Sequence, residues 1–209
     1  MKTQMKYYAV KKGYKPGIYT TWEACSRQVN GYSGADFKRF YDLEDAEDFL
    51  NSTDAYTRAT HASTNNKKPR QKTPYAYVDG SFNETTERYG FGGFLVVGEN
   101  EYVLQGSGYN KERAEMRNVA GELDGCMAAV RKAIELCIPK LVIYYDFQGV
   151  ASWATGEWRT NKKWTRAYHN YMAQAMEMVH ITFIHVPAHT GIEGNEKADQ
   201  LAKEAVGLR

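Results

Sequence analysis

The chain has 209 residues and a mass of 23.8 kDa, with 43% hydrophobic and 25% charged residues. That is enough to bury a core, so wholesale disorder is excluded, and no apolar run approaches the roughly 20 residues that span a bilayer. The net charge of +2 is uneven: residues 1–74 hold 13 basic and 8 acidic side chains, and residues 75–209 hold 14 and 17. A basic small half is suited to meeting phosphates. An acidic larger half gathers carboxylates, either to hold metal or simply as solvated surface. The start, Met1-Lys2-Thr3-Gln4-Met5-Lys6, lacks a signal peptide's apolar stretch. Cys25, Cys126 and Cys137 form no CxxC pair, so reduced thiols in a cytoplasmic protein are expected.

In chain order, Lys6–Gly13 reads as a strand ending in a turn, and Gly17-Ile18-Tyr19 begins a second strand after Pro16. Thr21 is a helix N-cap, with Trp22, Cys25 and Val29 along one helical face. Ala35–Phe40 is a short basic and aromatic stretch, and Asp45–Leu50 a closing helix. Tyr8, Trp22 and Phe37 fit either a small core or a surface that stacks on sugars and bases beside Lys38 and Arg39. Residues 51–74, rich in Ser, Thr, Asn, Lys and Pro, read as a flexible linker between domains at 1–50 and 75–209.

Three segments of the first half carry a resemblance. Tyr8-Ala9-Val10-Lys11-Lys12-Gly13, Gly17-Ile18-Tyr19-Thr20-Thr21-Trp22 and Ala35-Asp36-Phe37-Lys38-Arg39-Phe40 resemble the RNA/DNA hybrid-binding domain of type 1 ribonucleases H, also found in caulimovirus viroplasmin. The resemblance implies that Trp22 and Phe37 face the DNA strand of a hybrid, with Lys38 and Arg39 on its phosphates. Tyr8 is the weaker candidate.

In the second half, Tyr75–Ser81 reads as a strand ending at an Asp. Tyr89–Val97 and Glu101–Ser107 read as two more strands joined by a hairpin turn at Gly98-Glu99-Asn100. Val119, Leu123, Met127, Val130, Ile134 and Cys137 recur at helical spacing. Leu141–Asp146 is a buried strand, Lys163–Val179 a helix, His180–Val186 another buried strand and Asn195–Val206 a last helix. Leading strands followed by alternating helices and strands imply an α/β fold with a mixed sheet. Asp79 and Asp146 each end an apolar strand, where a carboxylate is costly unless paired or metal-bound. Glu122 and Asp199 lie on helices. Convergence of these acids would suit Mg²⁺, which takes oxygen ligands. Strand-end Asp residues also cap turns, and periodicity alone does not bring the four together. No G-x-S-x-G is present, and Gly90-Phe91-Gly92-Gly93 lacks the Lys-Ser/Thr of a P-loop.

Val78-Asp79-Gly80-Ser81, Asn118-Val119-Ala120-Gly121-Glu122, Tyr144-Tyr145-Asp146 and the run from His185 to Asp199 (HVPAHTGIEGNEKAD) resemble the ribonuclease H domain in order and spacing. The resemblance implies a ribonuclease H-like fold with a mixed five-stranded sheet flanked by helices. It implies metal-binding catalytic acids at Asp79, Glu122, Asp146 and Asp199, with Asp124 a decoy. His189 matches a mobile-loop histidine that helps protonate or release product. Glu196 matches an auxiliary acid, and a salt-bridged helix Glu is the competing reading. Ser81 and Asn83, on a loop after the first Asp, and Asn118 and Asn195, beside the acids, are candidates for contacting nucleic acid. The region Phe147–Val179 holds Trp153, Trp158, Trp164, Arg159, Lys162, Lys163 and Arg166. It is either a reduced form of the basic handle of some relatives or two amphipathic helices.

The activity implied is endonucleolytic hydrolysis of the RNA strand of an RNA/DNA hybrid, with 5′-phosphate and 3′-hydroxyl ends. Two Mg²⁺ ions, or Mn²⁺ in their place, would serve as cofactors. Expected alongside are a hybrid as partner, no membrane, no small-molecule cofactor and a monomer. The Met start, separate N-terminal module and intact C-terminal motif point to a stand-alone cellular enzyme rather than a reverse-transcriptase fragment. The rivals are a non-catalytic hybrid-binding protein, which four present acids oppose, and a junction resolvase of the same fold, which the N-terminal module opposes.

Overall fold

The computed structural model describes residues 5–52, 73–188 and 191–208. The chain divides into two compact units, Met1–Gln71 and Lys72–Arg209. Most of the expected linker, residues 53–72, lies outside the described residues, and Asn51 is the last residue of a helix.

The first unit is a three-stranded antiparallel sheet with a helix on each face. Its elements are β1 (Tyr7–Lys12), β2 (Gly17–Tyr19), α1 (Trp22–Val29), β3 (Asp36–Phe40) and α2 (Leu43–Asn51), with strand order β2-β1-β3. Central β1 is covered from both sides, which is why its alternation is blurred. Val10 packs with Cys25 and Val29 of α1, and Phe40 and Lys11 meet Phe49 of α2. Thr21 Oγ1 accepts from the Ala24 N–H at 3.2 Å, the N-cap expected from sequence. Asp42 caps α2 likewise, so that helix begins two residues before the expected Asp45.

The second unit holds β4 (Tyr75–Asn83), β5 (Arg88–Val97), β6 (Asn100–Gly108), α3 (Lys111–Ala114), α4 (Asn118–Glu135), β7 (Lys140–Tyr145), α5 (Gly149–Ala154), α6 (Lys163–Met176), β8 (His180–His185) and α7 (Glu193–Ala205). Its sheet is mixed and five-stranded, in the order β6-β5-β4-β7-β8. The hairpins β4–β5–β6 are antiparallel, and β4–β7–β8 are parallel. This is the ribonuclease H-like arrangement. The tight β5–β6 turn needs only Gly98 and Glu99, with Gly98 at φ +61°. Helix α4 stops at Glu135, so Cys137 lies beyond it, exposed and at φ +52°.

One expectation is corrected here. β4 does not stop at Asp79 but continues four residues, with Ser81 opposite Gly90 and Asn83 opposite Arg88. Asp79, Ser81 and Asn83 therefore share one strand face. The opposite face presents Gly80, against which α4 packs so closely that a Cβ there would strike the Asn118 carbonyl and the Glu122 amide. A Cβ at Gly121 would overlap the Gly90 carbonyl. On the other face, Gly92 gives the same clearance to α7 at Leu201 and Ala202. Gly90 and Gly92, in the run that does not form a P-loop, are therefore helix-docking positions. Gly121→Ala should lower unfolding free energy by about 2 kcal/mol or more, because backbone must shift rather than a side chain. A urea midpoint within error of the parent's, at unchanged m-value, would contradict this packing account.

Candidate metal centre and nucleic-acid surface

The glycine contacts drive the first turns of α4 against the middle of β4. Glu122, the fifth residue of α4, is 2% exposed, and Asp79 is 7% exposed. Asp146 follows the last residue of β7, the parallel neighbour of β4. Carboxylate oxygens of Asp79, Glu122 and Asp146 all lie within 4.8 Å of one another. The Gly80 N–H donates to Asp79 Oδ1 at 2.7 Å. Asn195, on the first turn of α7, donates from Nδ2 to Asp146 Oδ2 at 3.1 Å. His185 Nε2 lies 2.9 Å from the Asp146 carbonyl oxygen.

Burial pushes the Asp79 carboxyl up to about 6, and the Asp146 charge pushes in the same direction. Glu122 is raised well above its ordinary range, again first by burial and then by the charges of Asp79 and Asp146. Its Oε2 is buried without a hydrogen-bond partner, as is Asn195 Oδ1. Among the described residues, these clustered acids with an orphaned oxygen form a site without a balancing positive charge. A hard divalent cation fits it by ligand type and by charge.

The remaining expected acids stand apart from this trio. Asp199 lies one side chain away on α7, close enough for its charge to raise Asp79, but its Oδ2 accepts from Lys203 Nζ at 2.7 Å. Glu196 is exposed on the first turn of α7. His189 lies outside the described residues. Asp124 is turned away and paired with Arg113, whose guanidinium also lies 4.9 Å from the Trp164 ring.

Three of the residues expected to contact nucleic acid are buried in this structure. Asn83 is buried and bonded at both ends of its amide: Nδ2 donates to the Val206 carbonyl at 2.9 Å, and Oδ1 accepts from the Thr85 and Thr86 amides. It ties the β4–β5 turn to the end of α7. Ser81 is buried within β4 rather than standing on a loop. Asn195 is 5% exposed and faces Asp146, so it orients an acid. Asn118 is exposed at the start of α4. In the first unit, Trp22 is 50% and Phe37 41% exposed, with ring centroids 5.8 Å apart. Lys38 and Arg39, the next two residues of β3, are exposed, whereas Tyr8 packs partly into the core. Of the two readings left open, the surface one fits Trp22 and Phe37.

Sequence reasoning missed two features. One is a cavity of about 400 Å³ between the start of α4 and the α5–α6 connection, lined among others by Val119, Trp153, Arg159, Asn161, Lys162 and Thr165. Its basic and aromatic residues were visible in the sequence, but their meeting with α4 was not. The other is Arg117, whose φ of 55° and ψ of −131° no sequence signal announced.

The pKa directions fix a pH dependence. A folded carboxyl that keeps its proton to about pH 6, against 3.8 when unconstrained, makes the unfolded chain the weaker proton binder between those values. Stability without metal therefore falls as pH rises from about 4 to 6, by about 3 kcal/mol from Asp79. Asp79→Asn, which keeps the acceptor for the Gly80 amide, should flatten that fall and raise metal-free stability at pH 7. Urea unfolding of both proteins in EDTA checks this, and a mutant less stable than the parent at pH 7 would refute it.

The family described as Ribonuclease H1 N-terminal domain matches residues 6–50, and the family described as RNase H matches residues 71–207. Human ribonuclease H1 is similar at 26% identity, over 95% of this chain and 88% of that protein. A ribonuclease H of Saccharomyces cerevisiae is 46% identical over 33% of this chain and 21% of its own length. Among solved structures, the ribonuclease H1 of the halophilic archaeon Halobacterium salinarum superposes with a TM-score of 0.51 at 28% identity, over 64% of this chain and 96% of that one.

Proposed function

This chain belongs to the ribonuclease H family, and from that premise we propose that it hydrolyses the RNA strand of RNA/DNA hybrids at the acids Asp79, Glu122 and Asp146, with Asp199 completing the set. The observation that carries the proposal is the meeting of three carboxylates within 4.8 Å, one of them with a buried, unpartnered oxygen. Two Mg²⁺ ions held by these acids would supply an activated water and charge stabilisation for the phosphate and the leaving 3′ oxygen.

The chain's own residues have definable parts in this proposal. Asp79 and Glu122 remain where glycine contacts hold them, and the Gly80 amide fixes one Asp79 oxygen. Asn195 holds the Asp146 carboxylate through one oxygen and leaves the other for a ligand. Asn118, exposed four residues before Glu122, is placed to donate to a 2′-hydroxyl or phosphate, the groups by which RNA is told from DNA. Trp153, Arg159 and Lys162 give the catalytic unit a basic, aromatic cavity wall for backbone contacts. Trp22, Phe37, Lys38 and Arg39 form the hybrid-gripping surface of the N-terminal unit. Asp199, whose Oδ2 accepts from Lys203, would be a further oxygen ligand of the metals, and His189 and Glu196 would assist at product release. The proposal extends to a cytoplasmic location, in keeping with three free cysteines, and to a monomer.

Two experiments test it. The full chain is incubated with end-labelled RNA/DNA hybrid, duplex RNA and duplex DNA, with Mg²⁺ or EDTA, beside Asp146→Asn. Mg²⁺-dependent cutting of only the hybrid's RNA strand, with at least a hundredfold loss in the mutant, is expected. Tight hybrid binding without cutting in Mg²⁺ or Mn²⁺ would instead favour a non-catalytic binding protein. Separately, Trp22→Ala with Phe37→Ala should weaken hybrid binding by roughly tenfold or more, given about 1–3 kcal/mol per stacking contact, and leave the single-turnover cleavage rate at saturation unchanged. Unchanged affinity at every salt concentration would remove the aromatic pair from the proposal.

A further inference from the structure

Tyr168, on α6, is the largest side chain fully buried among the described residues, and it lies within the apolar core. A phenylalanine would fill that space with no polar atom to satisfy. The hydroxyl instead reaches two other helices. Its oxygen lies 2.8 Å from the Val150 carbonyl oxygen on α5 and 3.1 Å from Cys126 Sγ on α4. A hydroxyl has one hydrogen, and a carbonyl can only accept. Tyr168 therefore donates to Val150, and the Cys126 S–H donates to the Tyr168 oxygen. Burial pushes the Cys126 thiol up to about 12 and the Tyr168 phenol well above its ordinary range, so both keep the protons that this bridge uses.

Both ends of the bridge lie next to the acids in the chain. Cys126 is four residues after Glu122 on α4, so it shares that side chain's face one turn further on. Val150 is four residues after Asp146 and closes the turn that leaves it, with its N–H on the Phe147 carbonyl at 3.0 Å. That turn has little slack, because a Cβ at Gly149 would strike the Phe147 and Trp153 rings. Asp146 is met by His185 of β8 at its carbonyl and by Asn195 of α7 at its carboxylate. The Tyr168 bridge adds a tie between the turn after Asp146 and the helix of Glu122. Carboxylates gathered within 4.8 Å need such ties, since their like charges push them apart.

We propose that Tyr168 is a positioning residue of the metal centre: its hydroxyl fixes the spacing of Glu122 from Asp146 by joining the helix of one to the turn that follows the other. It touches neither substrate nor ion. The inference rests on the metal reading of the acids above and adds to it a residue that acts from the core, through backbone.

Titration of the metal-free full chain with Mn²⁺, followed by calorimetry at a temperature where each variant is folded, tests it. Groups that orient metal ligands from behind change metal affinity by about 10–100-fold, and a bridge acting through backbone belongs at the low end, so Tyr168→Phe should weaken Mn²⁺ binding roughly tenfold. Cys126→Ala should weaken it less, and should add nothing in the Tyr168→Phe background. Cys126→Ser, which keeps a donor for the Tyr168 oxygen, should bind as the parent does. Tyr171→Phe is the control. The hydroxyl of that α6 tyrosine lies 3.5 Å from the Met127 carbonyl of α4, so it ties the same two helices without reaching α5, and its loss should leave the affinity unchanged. Equal losses in Tyr171→Phe and Tyr168→Phe would mark a general effect of helix docking and overturn the positioning role. Parent affinity in Tyr168→Phe would overturn it outright. Should Tyr168→Phe not fold, the Cys126 pair decides, and equal affinities of Cys126→Ala and Cys126→Ser would overturn the bridge. If the parent itself binds no Mn²⁺ at millimolar ion, the metal reading falls, and this inference falls with it. Saturable binding by the parent, matched by Tyr168→Phe, removes the inference alone.

Discussion

Two carboxylates, Asp79 and Glu122, are buried against each other, and a third, Asp146, stands beside them. Among the described residues no basic side chain is an influence on either buried acid; burial and neighbouring negative charge dominate both. Such a cluster opposes folding unless something gathers it by force of packing. Glycine supplies that force. Gly80, Gly121 and Gly92 let two helices touch the sheet backbone, one from each face, so that burial of the surrounding core fixes the acids as a by-product. Leu123 and Val78, fully buried next to Glu122 and Asp79, each contribute about 2 kcal/mol toward that end.

The same economy appears at α7. Its inner side docks on Gly92, and its first turn rests at Gly194 on the ring of Tyr77, which stacks on Tyr144 at 4.5 Å and on Phe94 at 5.5 Å. This places Asn195 within reach of Asp146 and Asp199 near Asp79. One helix thus carries an orienting amide and a fourth acid, the latter held by Lys203 in the free protein. The tie from Asn83 to the Val206 carbonyl fastens the far end of that helix to β4, the strand that bears Asp79.

Much of this was legible in the sequence, and the physical reasons differ by element. Strong alternation and continuous apolar runs revealed the strands, and Thr21 revealed a helix start, because those signals are local. In sequence Asp79 looks like a strand end, because a strand that passes a carboxylate and a glycine breaks the apolar pattern without breaking the hydrogen-bond ladder. For Ser81, Asn83 and Asn195 the sequence suggests nucleic-acid contacts because polar side chains near a site look alike in sequence, and only burial separates an orienting amide from a contacting one. Asp199 and Lys203 sit four residues apart on one helix, an ion pair that spacing allowed. Glu84 and Arg117 are 33 residues apart, and their pairing follows from tertiary packing alone.

The central claim is that the buried acids exist to hold divalent cations. Direct titration of the metal-free full chain with Mn²⁺, followed by calorimetry and by loss of the free-ion electron paramagnetic resonance signal, tests it without reference to cleavage. The account predicts saturable binding that releases protons at pH 6, and loss of that binding in Glu122→Gln with the fold retained. Equal Mn²⁺ binding by Glu122→Gln and the parent, or no binding by either at millimolar ion, would contradict it.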